Sequence, residues 1–257
     1  MNRETVQQIV NEDLGMRKIS AKMVPWILTH DQKQCQLYIS SDLLRYAEMF
    51  DRVITSDEMW CFQYELKKKT PDRACSGKQN SPRPRKAHMS RLQVKTMLMC
   101  FFDHKGVVQY KFIAQGQMVN QHCYLEVLTR LQECVWRKRP RLWLNKWILH
   151  HDYAPTHDTL RVYEFLAKNS ITKMDHPPYS PDLALCDFWL FPKLKNALKG
   201  QRFADLSDIQ RNVKTLLWGI LEHDFQDCCW QWHHRRGKVH SFTSRVFWRQ
   251  QQLLVHR

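Results

Sequence analysis

Apolar residues return along this chain at helical spacing first, then at strand spacing, and then in alternating blocks of the two. Val6, Ile9, Val10 and Leu14 fall on one face of a short helix over residues 1–15, which Gly15 can stop. A basic connector with Arg17, Lys18 and Lys22 leads to Val24-Pro25. Cys35, Leu37, Ile39, Leu43, Leu44, Ala47 and Phe50 then make an imperfect helical face over 32–50. Arg52–Ser56 reads as a short strand that runs directly into Asp57-Glu58. Val94–Phe102 is apolar on both faces, the pattern of a central strand. Val107–Ile113 returns antiparallel after a turn at Asp103–Gly106. A helix over 120–138 carries Tyr124, Leu125, Leu128, Leu131 and Val135. A strand at Lys146–His151 runs into Asp152. Then come a helix over 157–169, a strand at Ile171–Met174, a stiff connector at Pro177–Pro181, a helix over 184–199 ended by Gly200, and a last helix over 206–222.

From Arg52 onward the order is strand, strand, strand, helix, strand, helix, strand, helix. Three meandering strands followed by alternation predict an α/β fold with a mixed sheet. The RNase H-like fold has this order, with its site at one end of the sheet. Residues 64–95 differ in kind: ten Lys or Arg stand there against two acids, Glu65 and Asp72, and Pro71, Pro82 and Pro84 break any regular element. This is a long basic loop, and such a loop inside a compact domain is usually functional or disordered.

Composition narrows the function. The chain has 257 residues, of which 43% are hydrophobic, enough for one or two domains with a proper core. Its apolar runs, such as Met97–Phe102, fall far short of the ~18 residues of a membrane span, and the N-terminus has no apolar signal core. Nine cysteines without regular pairing read as reduced thiols of a cytosolic or nuclear protein. Forty Lys and Arg against 25 Asp and Glu leave a net charge of +15, and an acidic partner follows, with nucleic acid first.

Asp57 and Asp152 stand where strands end, and Asp187 at the start of a helix beyond the next strand. Neighbouring elements of such a sheet can bring all three to one edge. Clustered carboxylates repel one another unless cations bind, and Mg²⁺ takes such hard oxygen ligands together with waters and phosphate oxygens. Two ions about 4 Å apart activate a water or a 3′-hydroxyl and stabilise the leaving oxygen of a phosphodiester. Three acids at element ends also arise by chance among 25, and Asp187 can serve simply as a helix-start residue. Asp182 competes with it and reads as a cap or turn residue after Pro181.

Longer motifs decide between these readings. Thr55-Ser-Asp57-Glu58-Met-Trp60, His150-His-Asp152-Tyr-Ala-Pro155-Thr-His157 and Tyr179-Ser-Pro-Asp182-Leu-Ala-Leu-Cys-Asp187-Phe resemble the corresponding motifs of mariner-type transposases. Thirty-four residues separate Asp152 from Asp187, the spacing that marks that family. The resemblance runs from about residue 4 to 235. It implies that Asp57, Asp152 and Asp187 are catalytic and bind Mg²⁺ or Mn²⁺. Glu58, Trp60, Tyr153 and Asp182 would support them, with Tyr179–Leu183 shaping the approach to the third aspartate. The basic loop would contact DNA through Lys67, Lys68, Lys69, Arg73, Arg83, Arg85, Lys86 and Arg91, and would reach a partner subunit in a DNA-bound homodimer.

By the same resemblance the chain divides into a remnant of a second helix-turn-helix module (1–15), a connector and helix (16–50), an RNase H-like catalytic domain (51–236) and a divergent tail (237–257). It lacks nearly all of the paired helix-turn-helix modules, which implies largely non-specific, electrostatic DNA binding. Tyr153 replaces the usual asparagine after the second aspartate, Ser56 the usual glycine before the first, and Met23-Val24-Pro25-Trp26 an altered connector used by relatives in pairing subunits. The tail from Val239 onward reads like a frame-shifted end. Three readings follow: a nuclear, metal-dependent DNA-cleaving and strand-transferring domain, impaired in this copy; a transposon-derived DNA-binding remnant without catalysis; or an inert relic. Neither a membrane nor a small-molecule substrate is implied.

Two further features carry less. Cys228-Cys229 with His233-His234 hint at zinc, but the spacing fits no common four-ligand site. The ten tryptophans, Trp189 and Trp218 among them, are assigned mainly to core packing, with stacking on unpaired bases as the alternative.

Overall fold

The structure is a computed structural model. It describes residues 47–65 and 94–237, apart from 114, 115, 118, 153, 178 and 179, together with scattered positions between 31 and 39. The expected helix at 1–15, most of the basic loop and the tail lie outside the described residues. Those described between 31 and 39 are helical, whereas Ala47–Arg52 forms a 3-10 turn, so the helix expected over 32–50 does not run unbroken to its end.

Five strands form one mixed sheet. They are β1 (Val53–Phe62), β2 (Lys95–Asp103), β3 (Gly106–Ile113), β4 (Ile148–His150) and β5 (Thr172–Met174). Their spatial order is β3-β2-β1-β4-β5. β1, β2 and β3 pair antiparallel, while β4 pairs parallel with both β1 and β5. This is the RNase H-like arrangement that the order of elements predicts.

β2 lies inside the sheet because it is apolar on both sides. Leu98, Cys100 and Phe102 enter one core layer, and Met99 and Phe101 enter the other. The turn after it is built by Asp103, whose Oδ1 accepts the Lys105 N–H at 2.9 Å, and by Gly106, whose φ of 129° suits a residue without Cβ.

Helices cover both faces. One layer holds α1 (Gln121–Lys138), the short α2 (Pro140–Leu144) and α3 (Leu160–Lys168); the other holds α4 (Phe191–Leu198), α5 (Leu206–Trp218) and α6 over residues 222–237. α1 starts where Asn120 accepts the Cys123 N–H at 2.9 Å, and α5 where Asp205 accepts the Asp208 N–H at 2.7 Å, each satisfying an otherwise orphaned donor.

Several expectations need correction. β1 does not stop at Ser56 but continues to Phe62, because Met59 and Cys61 return to the core beyond the acidic pair. Asp57 is therefore a mid-strand residue opposite Cys100. The helix expected over 184–199 is instead a π-helical turn at Cys186–Leu190 followed by α4. The helix expected to be last ends at Trp218, and α6 follows it. Trp218 is 59% exposed, so it is not a core residue, whereas Trp189 packs between Phe102 and Phe225. Eight described cysteines are free thiols, in line with the reduced state expected.

Candidate active site

The parallel pairing of β1 with β4 runs from Val53 opposite Ile148 to Thr55 opposite His150. Beyond that point both backbones continue toward one end of the sheet, and the acids lie there. Asp57 belongs to β1, Asp152 to the segment leaving β4, and Asp187 to the π-helical turn that packs on β1 and leads into α4. A π-helical turn carries one extra residue per hydrogen-bonded ring and so re-aims the side chains that follow, a device common at functional sites.

The three aspartates sense one another. Burial first, and then the charges of Asp187 and Asp152, push the Asp57 carboxyl up to about 8, against a weaker pull from the Glu58 N–H, which donates to its Oδ1 at 2.6 Å. Asp187 is also raised, by desolvation in the cleft and by Asp152, with Lys195 opposing. Asp152 goes the other way: burial works against its charge, but His157 outweighs it and holds the carboxyl below its ordinary value. In the metal-free chain Asp152 therefore ionises most readily, and Asp57 is the natural place for a shared proton.

His157 sits at the centre of a second group. Its Nδ1 lies 2.9 Å from Asp152 Oδ1 and its Nε2 3.4 Å from Glu58 Oε1. Burial alone would depress this imidazole, yet the two carboxylates push it up to about 9. Behind it stands Tyr124, stacked on the His157 ring with centroids 4.0 Å apart and 3.0 Å from His151 Nδ1 through its hydroxyl. His151 is held down to about 3, by burial and by the neighbouring His157. On the other side of β4, His150 lies 3.2 Å from Thr55 Oγ1 and 3.2 Å from His176 Nδ1. His150 is buried and depressed by that burial and by His176, and His176 is pushed down to about 4 by burial and by Arg236. Of these four histidines, only His157 stands as a cation at neutral pH.

The remaining sequence candidates are distributed as follows. Asp57, Asp152 and Asp187 are brought together, and Glu58 joins them through His157. Trp60 is exposed and carries the Lys95 ammonium 4.1 Å above its ring; no described contact links it to the aspartates. Asp182 occupies the 3-10 turn Pro181–Leu183, where its carbonyl accepts from Arg235 at 3.4 Å. Tyr153 and Tyr179 lie outside the described residues, as do Lys67, Lys68, Lys69, Arg73, Arg83, Arg85, Lys86 and Arg91. Cys228 and Cys229 are buried on α6, and among the described residues they form no metal-ligating group with His233 and His234. Sequence reasoning missed His157 and Tyr124 as parts of the site. The signal for His157 was its place in the same motif as Asp152.

The donor set suits a hard divalent cation. Three carboxylates from three elements offer oxygen ligands whose mutual repulsion a cation would relieve.

Known proteins share both sequence and fold with this chain. A family model described as the partial DDE domain of transposases matches residues 69–145. The chain is 29% identical over 218 residues to the mariner Mos1 transposase of Drosophila mauritiana, covering 81% of this chain and 61% of that protein. It is 28% identical over 215 residues to the human histone-lysine N-methyltransferase SETMAR, covering 82% of this chain and 31% of that protein. It thus spans less than two thirds of the length of either relative. The crystal structure of the Mos1 mariner paired end complex with Mn superposes with a TM-score of 0.80 at 26% identity, covering 95% of this chain and 71% of that one. The crystal structure of the Mos1 catalytic domain gives 0.71 at 25% identity, covering 86% of this chain and 97% of that one. The mixed sheet, the helices on its two faces and the likeness in sequence lead to one family, and the chain belongs to the mariner-type transposases.

Proposed function

We propose that this chain carries out divalent-metal-dependent cleavage and strand transfer of DNA phosphodiester bonds, with Asp57, Asp152 and Asp187 as the metal ligands. One observation carries the reading: three carboxylates from separate elements converge closely enough to raise Asp57 to about 8. A fold does not hold such repulsion without a reason, and active sites are where it accumulates. When bound, Mg²⁺ or Mn²⁺ supplies the Lewis acidity that activates a water or 3′-hydroxyl and stabilises the leaving oxygen. Asp57 gives up its proton on binding and presents its carboxylate from a strand held on both sides. The Glu58 N–H fixes one Asp57 oxygen. Lys195 offsets the charge at Asp187 and stands ready to meet a phosphate.

The partner is DNA. Paired-end and strand-transfer complexes are the titled states of the similar Mos1 structures, and the net charge of +15 supports phosphate binding. Action on DNA by a second copy of the chain, through the basic loop, and residence in the nucleus belong to the same proposal. No described helix is long and apolar enough to cross a membrane.

The test is nicking of supercoiled plasmid with Mg²⁺ or Mn²⁺ by the parent chain and by Asp57→Ala and Asp152→Ala. Nicking by the parent alone supports the proposal. A folded parent that binds DNA without nicking it would transfer the reading to a DNA-binding protein without catalysis.

A further inference from the structure

We infer that His157 is a positioning residue, a cationic clamp that joins Glu58 to Asp152 and so fixes the separation of the two ligand-bearing segments. The inference rests on the reading of Asp57 and Asp152 as metal ligands.

The backbone leaves a task undone at this point. β1 and β4 pair only as far as Thr55 and His150. Asp57 and Asp152 each lie two residues past the last paired position, where no ladder hydrogen bond holds one segment to the other. Glu58 directly follows Asp57, and successive strand residues point to opposite faces. Glu58 is therefore free to reach across to the other segment while Asp57 faces the cleft. His157, five residues after Asp152, completes the bridge with Nε2 at 3.4 Å from Glu58 and Nδ1 at 2.9 Å from Asp152.

The ring cannot easily leave this position. Its side chain is 1% exposed, its backbone N–H donates to Ala154 O at 2.9 Å, and the fully buried Tyr124 stacks on its face. Both ring nitrogens face carboxylates, so both act as donors, which only the doubly protonated imidazole can do. The bridge takes Oδ1 of Asp152 and leaves Oδ2 for a cation.

A competing assignment uses the same atoms. One oxygen each of Glu58 and Asp152 and one nitrogen of His157 lie within 4.8 Å of one another, as ligands of a separate metal ion would. Against this, the two nitrogens address different carboxylates. A single ion would take one nitrogen and leave the other facing an acid, and the Tyr124 stack opposes the ring turn needed to share it. The arrangement fits an ion pair on either side of a cation better than a site for a second metal.

The experiment measures Mn²⁺ binding to the full chain by electron paramagnetic resonance of free Mn²⁺, with thermal unfolding in chelator alongside. The variants are His157→Leu, His157→Lys and Glu58→Gln. The clamp requires that His157→Leu and Glu58→Gln each weaken Mn²⁺ binding by about 10–100-fold, and that His157→Lys, which keeps a cation, recover part of the loss. A residue that serves only the fold would lower the melting temperature without a charge-dependent rescue of Mn²⁺ affinity. Should His157→Leu fail to fold, Glu58→Gln alone decides. Parent-like binding by Glu58→Gln or by folded His157→Leu overturns the clamp and leaves the three-aspartate site standing. Absence of Mn²⁺ binding by the parent overturns both.

Discussion

Trp232 donates its indole N–H to the carbonyl of Leu183 at 2.6 Å, and both groups are buried. The bond ties α6 to the 3-10 turn just before Asp187. Trp232→Phe keeps most of the ring but leaves the Leu183 carbonyl without this donor, which costs about 1–3 kcal/mol. Urea unfolding of the variant should show a midpoint lowered accordingly, with weaker Mn²⁺ binding as the Asp187 segment loosens. An unchanged midpoint would mean that the bond carries little.

Arg139, at the junction of α1 and α2, grips the fully buried carboxylate of Asp103 with Nε 2.6 Å from Oδ2 and Nη2 3.1 Å from Oδ1. This two-point contact locks the β2–β3 turn against the helical layer. Removing only the cation strands a buried charge, so Arg139→Met should cost about 3–5 kcal/mol. Arg139→Met combined with Asp103→Asn should be less damaging than Arg139→Met alone. Equal losses in a double-mutant cycle would sink this account.

The raised carboxyl of Asp57 makes stability depend on pH. Its folded value is about 8, against about 4 for an unfolded aspartate. The folded chain therefore binds more protons across that interval, and metal-free stability falls as pH rises from about 4 to about 8. His157, pushed up to about 9, adds a loss in the same direction between its unfolded value near 6.5 and pH 9. Asp57→Asn, unfolded in urea with chelator at several pH values, should give a flatter profile than the parent and greater stability at pH 8. Added Mn²⁺ should stabilise the parent more at pH 8 than at pH 6. A parent profile that rises with pH across this window would contradict the arrangement.

Thiol chemistry offers a separate check. Burial pushes Cys61, Cys100 and Cys229 up to about 12, and Cys228 higher still, so their reactive thiolates are scarce. Cys35 is exposed. Alkylation of the native chain followed by peptide mapping should label Cys35 rapidly and these four only after unfolding. Fast labelling of Cys100 or Cys228 would show that the core layer beneath Asp57 opens readily.

Much of this architecture is legible in the residues themselves. β2 announces itself by apolar residues on both faces, and α1 by Asn120 and a stripe from Tyr124 to Val135. β1 is harder, because an acidic pair normally ends a strand. Here Asp57 and Glu58 lie at the end of the sheet, where one faces a cleft and the other an imidazolium. α6 is obscured by its composition. Phe225, Cys228, Cys229, Trp232 and Arg236 keep helical spacing, but two cysteines beside two histidines suggest metal chemistry before they suggest a core. Asp57, Asp152 and Asp187 are visible from motif and spacing. His157 is not, since its role depends on Glu58, which reaches it only across the unpaired ends of β1 and β4.

The distribution of the three carboxylates along the chain has a consequence for biosynthesis. β1 and β2 pair early in the order of the chain, but Asp152 must wait for the parallel docking of β4, and Asp187 for the turn that Trp232 ties down from α6. Closing such long loops is slow and is rewarded only when the last partner arrives. A chain still emerging from the ribosome holds at most part of the cluster in place. Its full negative field, and with it any capacity to gather divalent ions beside nucleic acid, appears only once the final helix has docked.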